Sequence, residues 1–121
     1  MLYSIRVSRT DLTRLDEEQL RLAKRVVLED DFDSLGTVAG ADIAYTGNKI
    51  ICAIVVMDIK TLKVRDSKSC IGVAKFPYIP SYLSYREAPI TIETYHKLEL
   101  EPDILIFDGN SLYNLLFVRL H

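Results

Sequence analysis

Three carboxylates in this sequence stand among residues that belong in a core. Asp42 lies inside Val38-Ala39-Gly40-Ala41-Asp42-Ile43-Ala44, and Asp108 closes Ile104-Leu105-Ile106-Phe107 and precedes Gly109. Glu87 opens a helical piece in Tyr85-Arg86-Glu87-Ala88-Pro89. Burying an ionised carboxylate is costly unless it is paired, hydrogen-bonded or bound to a metal, so acids in such places need a reason. Ordinary reasons exist for each. Asp108-Gly109 is a common turn dipeptide, Asp42 can cap a helix or pair with an arginine, and Glu87 can sit exposed near a helix start. Were the three to converge, they would suit a hard divalent cation such as Mg²⁺ or Mn²⁺, which takes oxygen ligands. Such ions activate a water and steady the leaving oxygen in phosphodiester cleavage. Spacing alone does not show that they converge.

No side-chain nucleophile competes with that chemistry: there is no GxSxG turn and no paired Cys and His. The two cysteines, Cys52 and Cys70, have no metal-ligand spacing. Cys52 sits in Ile50-Ile51-Cys52-Ala53-Ile54-Val55-Val56, where a thiol behaves as a small hydrophobe. The net charge of −2 creates no positive field for polyanions. This excludes a sequence-blind, charge-driven nucleic-acid binder, though not an enzyme that grips its substrate through a local cleft and cations. Lys60, Lys63, Arg65, Lys68 and Lys75 are the nearest thing to a basic patch, diluted by Asp58 and Asp66. A solvated face is the ordinary reading of such a run, and phosphate contact the functional one.

The elements that must position the acids follow from periodicity. At 121 residues the chain fits one domain. Leu20, Ala23 and Val27 describe a helix face over Leu15–Leu28, with Thr13 and Asp16 as a capping pair. Three β-rich stretches follow: Thr37–Tyr45, then Lys49–Asp58 after a turn at Thr46-Gly47-Asn48, then about Leu62–Lys75. The second is almost continuously apolar, as a strand covered on both faces would be. Pro77 and Pro80 break the ladder. A helical pattern runs from Ser81 to Leu98, with Pro89 marking a kink or the start of a second piece, and Asp103–Phe107 is a short buried strand. Helix, three strands, helix, strand describes an α/β chain with a mixed sheet and helices packed on it. No run approaches a membrane span and the N-terminus has no secretion pattern, so the expected location is cytoplasmic.

Several of these segments resemble the endonuclease V family. Val38–Tyr45 resembles its opening acid-bearing strand. Phe76-Pro77-Tyr78-Ile79-Pro80, followed by Leu83-Ser84-Tyr85-Arg86-Glu87-Ala88-Pro89, is similar to its signature block, and Pro102–Gly109 to its third element. The resemblance covers roughly residues 15 to 109 in family order. It implies a ribonuclease H-like fold, with Asp42, Glu87 and Asp108 as metal-binding catalytic acids and Mg²⁺ (or Mn²⁺) as cofactor. It also implies that Pro77, Tyr78, Ile79 and Pro80 form a wedge separating strands beside a flipped-out base, as rigid apolar groups can. The implied activity is cleavage of DNA or RNA containing inosine, 3′ to the deaminated base, as in DNA repair.

The likeness departs at Asn110, which stands where the family carries a histidine, and Leu112–His121 matches nothing in it. An abrupt change of this kind is what a frameshift or truncated gene gives. The expected sheet is therefore cut off after the strand ending at Asp108, leaving an exposed edge there. The apolar tail would cover that edge or mediate self-association. Three functions follow: a working endonuclease, an inactive remnant that at most binds nucleic acid or dimerises, or a general metal-dependent nuclease without inosine preference.

Overall fold

The computed structural model describes residues 8–25, 29, 34–79, 82–107 and 116–118. Two compact units divide the chain, Met1–Asp33 and Ser34–His121. The first holds helix α1, Arg9–Ala23. Its sequence contains no glycine or proline and is rich in Leu, Glu, Gln and Arg, which lose little freedom in a helix. A capping box starts it: the Asp11 amide donates to Ser8 Oγ at 3.1 Å, and the Ser8 amide donates back to the Asp11 carboxylate at 3.3 Å. The Thr13–Asp16 pair expected in that role lies inside the helix instead, where the Thr13 hydroxyl donates to the Arg9 carbonyl. Residues 26–28 of the expected helix lie outside the described residues.

The second unit is a five-stranded mixed sheet in the order β3-β2-β1-β4-β5, crossed by helix α2, Leu83–His96. Strands β1 (Thr37–Thr46), β2 (Lys49–Asp58) and β3 (Val64–Val73) form an antiparallel meander. Gly47, at φ +59°, makes the tight β1–β2 turn, opposing Thr46 to Lys49. After α2, the chain returns as β4 (Ile104–Phe107), parallel to β1. The tail supplies β5 (Leu116–Val118), antiparallel to β4. The open edge expected beside β4 is thus paired, and the sheet does not end there.

Alternation decides which face each strand buries. Ala39 of β1, Ile50, Cys52, Ile54 and Val56 of β2, Cys70 of β3 and Leu105 of β4 form the core with Ile90 of α2. The opposite face is open: Ala53 and Ile71 are exposed, and Ile51 and Val55 half-buried. So β2, expected to be covered on both sides, is buried on one. Pro89 sits inside α2 as its seventh residue, without dividing it into two pieces. A proline there has no N–H to donate to the carbonyl four residues back. Among the described residues no helix is long and apolar enough to cross a membrane.

Asp103 fixes how β4 meets β1. Its Oδ2 accepts from the amides of Gly36 at 2.7 Å and Thr37 at 3.0 Å, and its own amide donates to Thr37 Oγ1 at 3.1 Å. This buckle lies directly before the first register pair, Val38–Ile104, and so sets the alignment of β4 on the strand that bears Asp42.

Candidate metal and nucleic-acid site

Asp42 is the sixth residue of β1, the central strand. Its segment is apolar because alternate residues, Ala39, Ala41 and Ile43, pack against the core. Asp42 belongs to the other set and is exposed, so the burial cost that singled it out does not arise. Its Oδ1 accepts from the next amide, Ile43, at 2.9 Å. The β1–β4 register runs to Ala41–Phe107, the residues immediately before Asp42 and Asp108. Asp108 itself, with Gly109 and Asn110, lies outside the described residues.

Glu87, half-buried, is the fifth residue of α2 rather than its start. Its Oε1 accepts a hydrogen bond from the Tyr45 hydroxyl at 2.8 Å. Tyr45 is three residues after Asp42, so it projects from the core-packed face of β1 while Asp42 projects from the open one. No hydrogen bond among the described residues joins the two acids. Burial, reinforced by the Glu87 carboxylate, pushes the Tyr45 phenol up to about 12. The Arg86 guanidinium lies over the Tyr45 ring, 5.0 Å from its centroid, within cation–π range. Arg86 also donates to the Phe76 carbonyl at 3.0 Å. Neither Tyr45 nor Arg86 was singled out from the sequence. The available signals were Tyr45's place at the end of the acid-bearing strand and Arg86's place beside Glu87.

Phe76 leads into the expected wedge. Pro77 and Ile79 are half-buried, Tyr78 is 68% exposed, and Pro80 lies outside the described residues. The Ile79 carbonyl accepts from the Tyr82 amide at 3.0 Å, and tilted ring contacts join Phe76 to Tyr85 and Tyr82 to Tyr85. Tyr78 thus presents a large apolar ring to solvent beside a braced aromatic cluster.

Among the described residues, no group of three His, Cys, Asp or Glu side chains is placed to hold a metal ion. The structure describes two of the three expected ligands. Both are carboxylates, hard oxygen donors of the kind Mg²⁺ and Mn²⁺ take, so the donor chemistry fits such an ion. Among the described residues, two of the five residues of the basic run are in ion pairs: Arg65 lies 3.7 Å from Asp58, and Lys68 3.5 Å from Asp66 and 3.7 Å from Glu99. The cysteines are free and buried, directly opposite each other across β2 and β3. Burial pushes the Cys52 thiol's pKa up, as for a core residue.

A mixed sheet with acids on its central strand and on the helix that crosses it is an α/β frame of the ribonuclease H-like class. The endonuclease V family model matches residues 20–114. Endonuclease V of Dictyoglomus turgidum is 37% identical over 102 residues, covering 84% of this chain and 43% of that protein. The crystal structure of Bacillus subtilis endonuclease V superposes with a TM-score of 0.76 at 33% identity, over 90% of this chain and 47% of that one. A Ciona intestinalis endonuclease V, solved with a 24mer DNA containing an inosine followed by a ribo-adenosine, shares the fold. Its TM-score is 0.75 at 22% identity, over 87% of this chain and 48% of that one. The chain belongs to the endonuclease V family, and it spans just under half the length of these relatives.

Proposed function

We propose that this chain is an endonuclease V-type phosphodiester hydrolase that cleaves DNA or RNA on the 3′ side of inosine, in a DNA-repair role in the cytoplasm. The observation that carries the reading is the Glu87 carboxylate held against β1, the strand that bears Asp42, in a chain of this family. Asp42, Glu87 and Asp108 would hold Mg²⁺ or Mn²⁺. Such an ion, when bound, makes water a stronger nucleophile and stabilises charge on the leaving oxygen.

The chain's own residues do the rest. Asp42 and Glu87 supply carboxylates from β1 and from the helix hydrogen-bonded to it. Pro77, Tyr78, Ile79 and Pro80 form the wedge. Exposed Tyr78 offers a stacking surface worth about 1–3 kcal/mol per base in comparable contacts, and the Phe76–Tyr85–Tyr82 cluster braces the chain on either side of it. The Ciona relative, which shares this fold, was solved on inosine-containing DNA, which supports inosine as the lesion read. Self-association through exposed apolar side chains such as Val64, Ile71 and Val73 belongs to the same proposal, and light scattering reads it.

The test is cleavage of a labelled oligonucleotide carrying one deoxyinosine, with Mg²⁺, comparing the intact chain with Asp42→Asn and Asp108→Asn. The expected result is a nick 3′ to the lesion that both variants abolish. A folded chain that binds the oligonucleotide but never nicks it would replace this reading with that of a binding module.

A further inference from the structure

A glutamate on a helix surface has three side-chain torsions, and ordering it costs conformational entropy. Glu87 is not left to wander. Tyr45 donates its single hydroxyl proton to Oε1 at 2.8 Å, from a ring with two torsions of its own. That ring lies beneath the Arg86 guanidinium, and Arg86 is in turn anchored on the Phe76 carbonyl. The Glu87 carbonyl accepts from the Thr91 hydroxyl at 2.9 Å, which steadies the helix backbone beneath it. Strand β1, helix α2 and the segment entering Pro77 therefore meet on one tyrosine. Core packing does not account for this residue, because Tyr45 is 43% exposed and phenylalanine would supply the same apolar ring.

We propose that Tyr45 is a positioning residue that holds Glu87 Oε1 and so presents the other oxygen, Oε2, to a divalent cation. The inference rests on the reading of Glu87 as a cation ligand. Hydrogen-bond partners of metal ligands fix ligand orientation, and removing one typically weakens metal binding by about 10–100-fold. Arg86 supports the arrangement by holding the ring in place. It also ties the orientation of the acid to the backbone just before the wedge, so that the cutting and strand-separating parts share one anchor.

The experiment uses the full chain and Mn²⁺ alone as the probe. Free Mn²⁺ is measured by electron paramagnetic resonance for wild type, Tyr45→Phe and Glu87→Gln. The order of the Glu87 side chain without metal is read by carbon relaxation in wild type and Tyr45→Phe. Tyr45→Phe is expected to bind Mn²⁺ about tenfold more weakly, to show greater Glu87 mobility, and to melt within about 2 °C of wild type, since it loses one half-exposed hydroxyl. If Glu87→Gln weakens binding and Tyr45→Phe leaves both the affinity and Glu87's order unchanged, the positioning role is overturned while the ligand reading stands. If Glu87→Gln leaves Mn²⁺ binding untouched, the ligand reading falls and the positioning role falls with it. Should Tyr45→Phe melt well below wild type, the relaxation measurement on its folded form at low temperature still decides. A Glu87 as ordered as in wild type would refute the proposal.

Discussion

Removing the Asp103 carboxylate should loosen the parallel junction between β1 and β4 and leave the β1–β2–β3 meander intact. The carboxylate receives two amide hydrogen bonds, at 2.7 and 3.0 Å. Hydrogen bonds to charged groups contribute about 1.5–3 kcal/mol each. Asp103 is exposed, and water replaces part of what is lost, so the pair together is worth roughly 1–2 kcal/mol. A unit of this size shifts by roughly 4 °C or more per kcal/mol. Asp103→Ala should therefore melt roughly 4–8 °C below wild type, with Asp103→Asn between the two because an amide oxygen still accepts. Gly36→Ala attacks the same buckle from the other side, since its new Cβ would stand 3.2 Å from Asp103 Oδ2. Calorimetry gives the melting temperatures, and hydrogen exchange at the Gly36 and Thr37 amides gives the location. A variant melting within about 1 °C of wild type, with both amides as protected as before, would refute the reasoning.

Acid stability should depend on Asp66. The amides of Leu100 and Glu99 donate to its Oδ2 at 3.1 and 2.7 Å and hold its pKa below the usual carboxylate value. A folded pKa below the unfolded one means that its contribution is present above about pH 4 and is lost as pH falls through the lowered value; Asp66→Asn should flatten the acid limb of a melting-temperature-versus-pH curve, and an unchanged limb sinks the idea. Cys52 is fully buried and its thiolate is disfavoured, so an aromatic disulfide reagent should modify it slowly in the folded chain and rapidly in denaturant; equal rates would contradict the packing described. Leu62 is 63% exposed with φ at +58°, a conformation costing about 1–2 kcal/mol outside glycine. Leu62→Gly should be neutral or stabilising by up to about 1 kcal/mol despite the lost side chain, and a clear loss in denaturant melts would show that Leu62 packs where none of its carbons is seen to matter.

Much of the fold was legible because its signals are local. The β-rich stretches Thr37–Tyr45 and Lys49–Asp58, with the turn at Thr46-Gly47-Asn48 between them, placed the hairpin to within a residue. The third strand, expected to run to about Lys75, stops at Val73, four residues before Pro77. Other features depend on what neighbouring groups do. Both Ser8–Asp11 and Thr13–Asp16 have capping spacing, and which one starts α1 depends on how far back helix-compatible residues extend. Pro89 carried two readings because one missing hydrogen bond can either end a helix or be absorbed by it. That β5 would come from the last residues of the tail could not be read from periodicity. Three residues suffice to pair with β4, fewer than any periodic signal needs.

The site shows the same division more sharply. Residue types and the family resemblance made Asp42 and Glu87 candidates, but the argument from burial was wrong for the Asp42 side chain, which is exposed. A strand with one apolar face and small residues on the other reads as uniformly buried: Gly40, Ala44 and Ala53 look like core in sequence, yet they share the open face with Asp42. Once Asp42 is set on that face, residues 43 and 45 must point the other way. Tyr45 is then the residue of β1 whose hydroxyl reaches Glu87. That contact spans 42 positions and needs α2 to cross after three strands have formed, so no pattern within either segment contains it. The roles divide accordingly: the metal-ligand candidates are visible as residue types, whereas the groups that orient them become visible only once the register is known. Tyr45→Phe is therefore a more searching test of the site than another acid substitution, because it removes a single oxygen and leaves every proposed ligand in place.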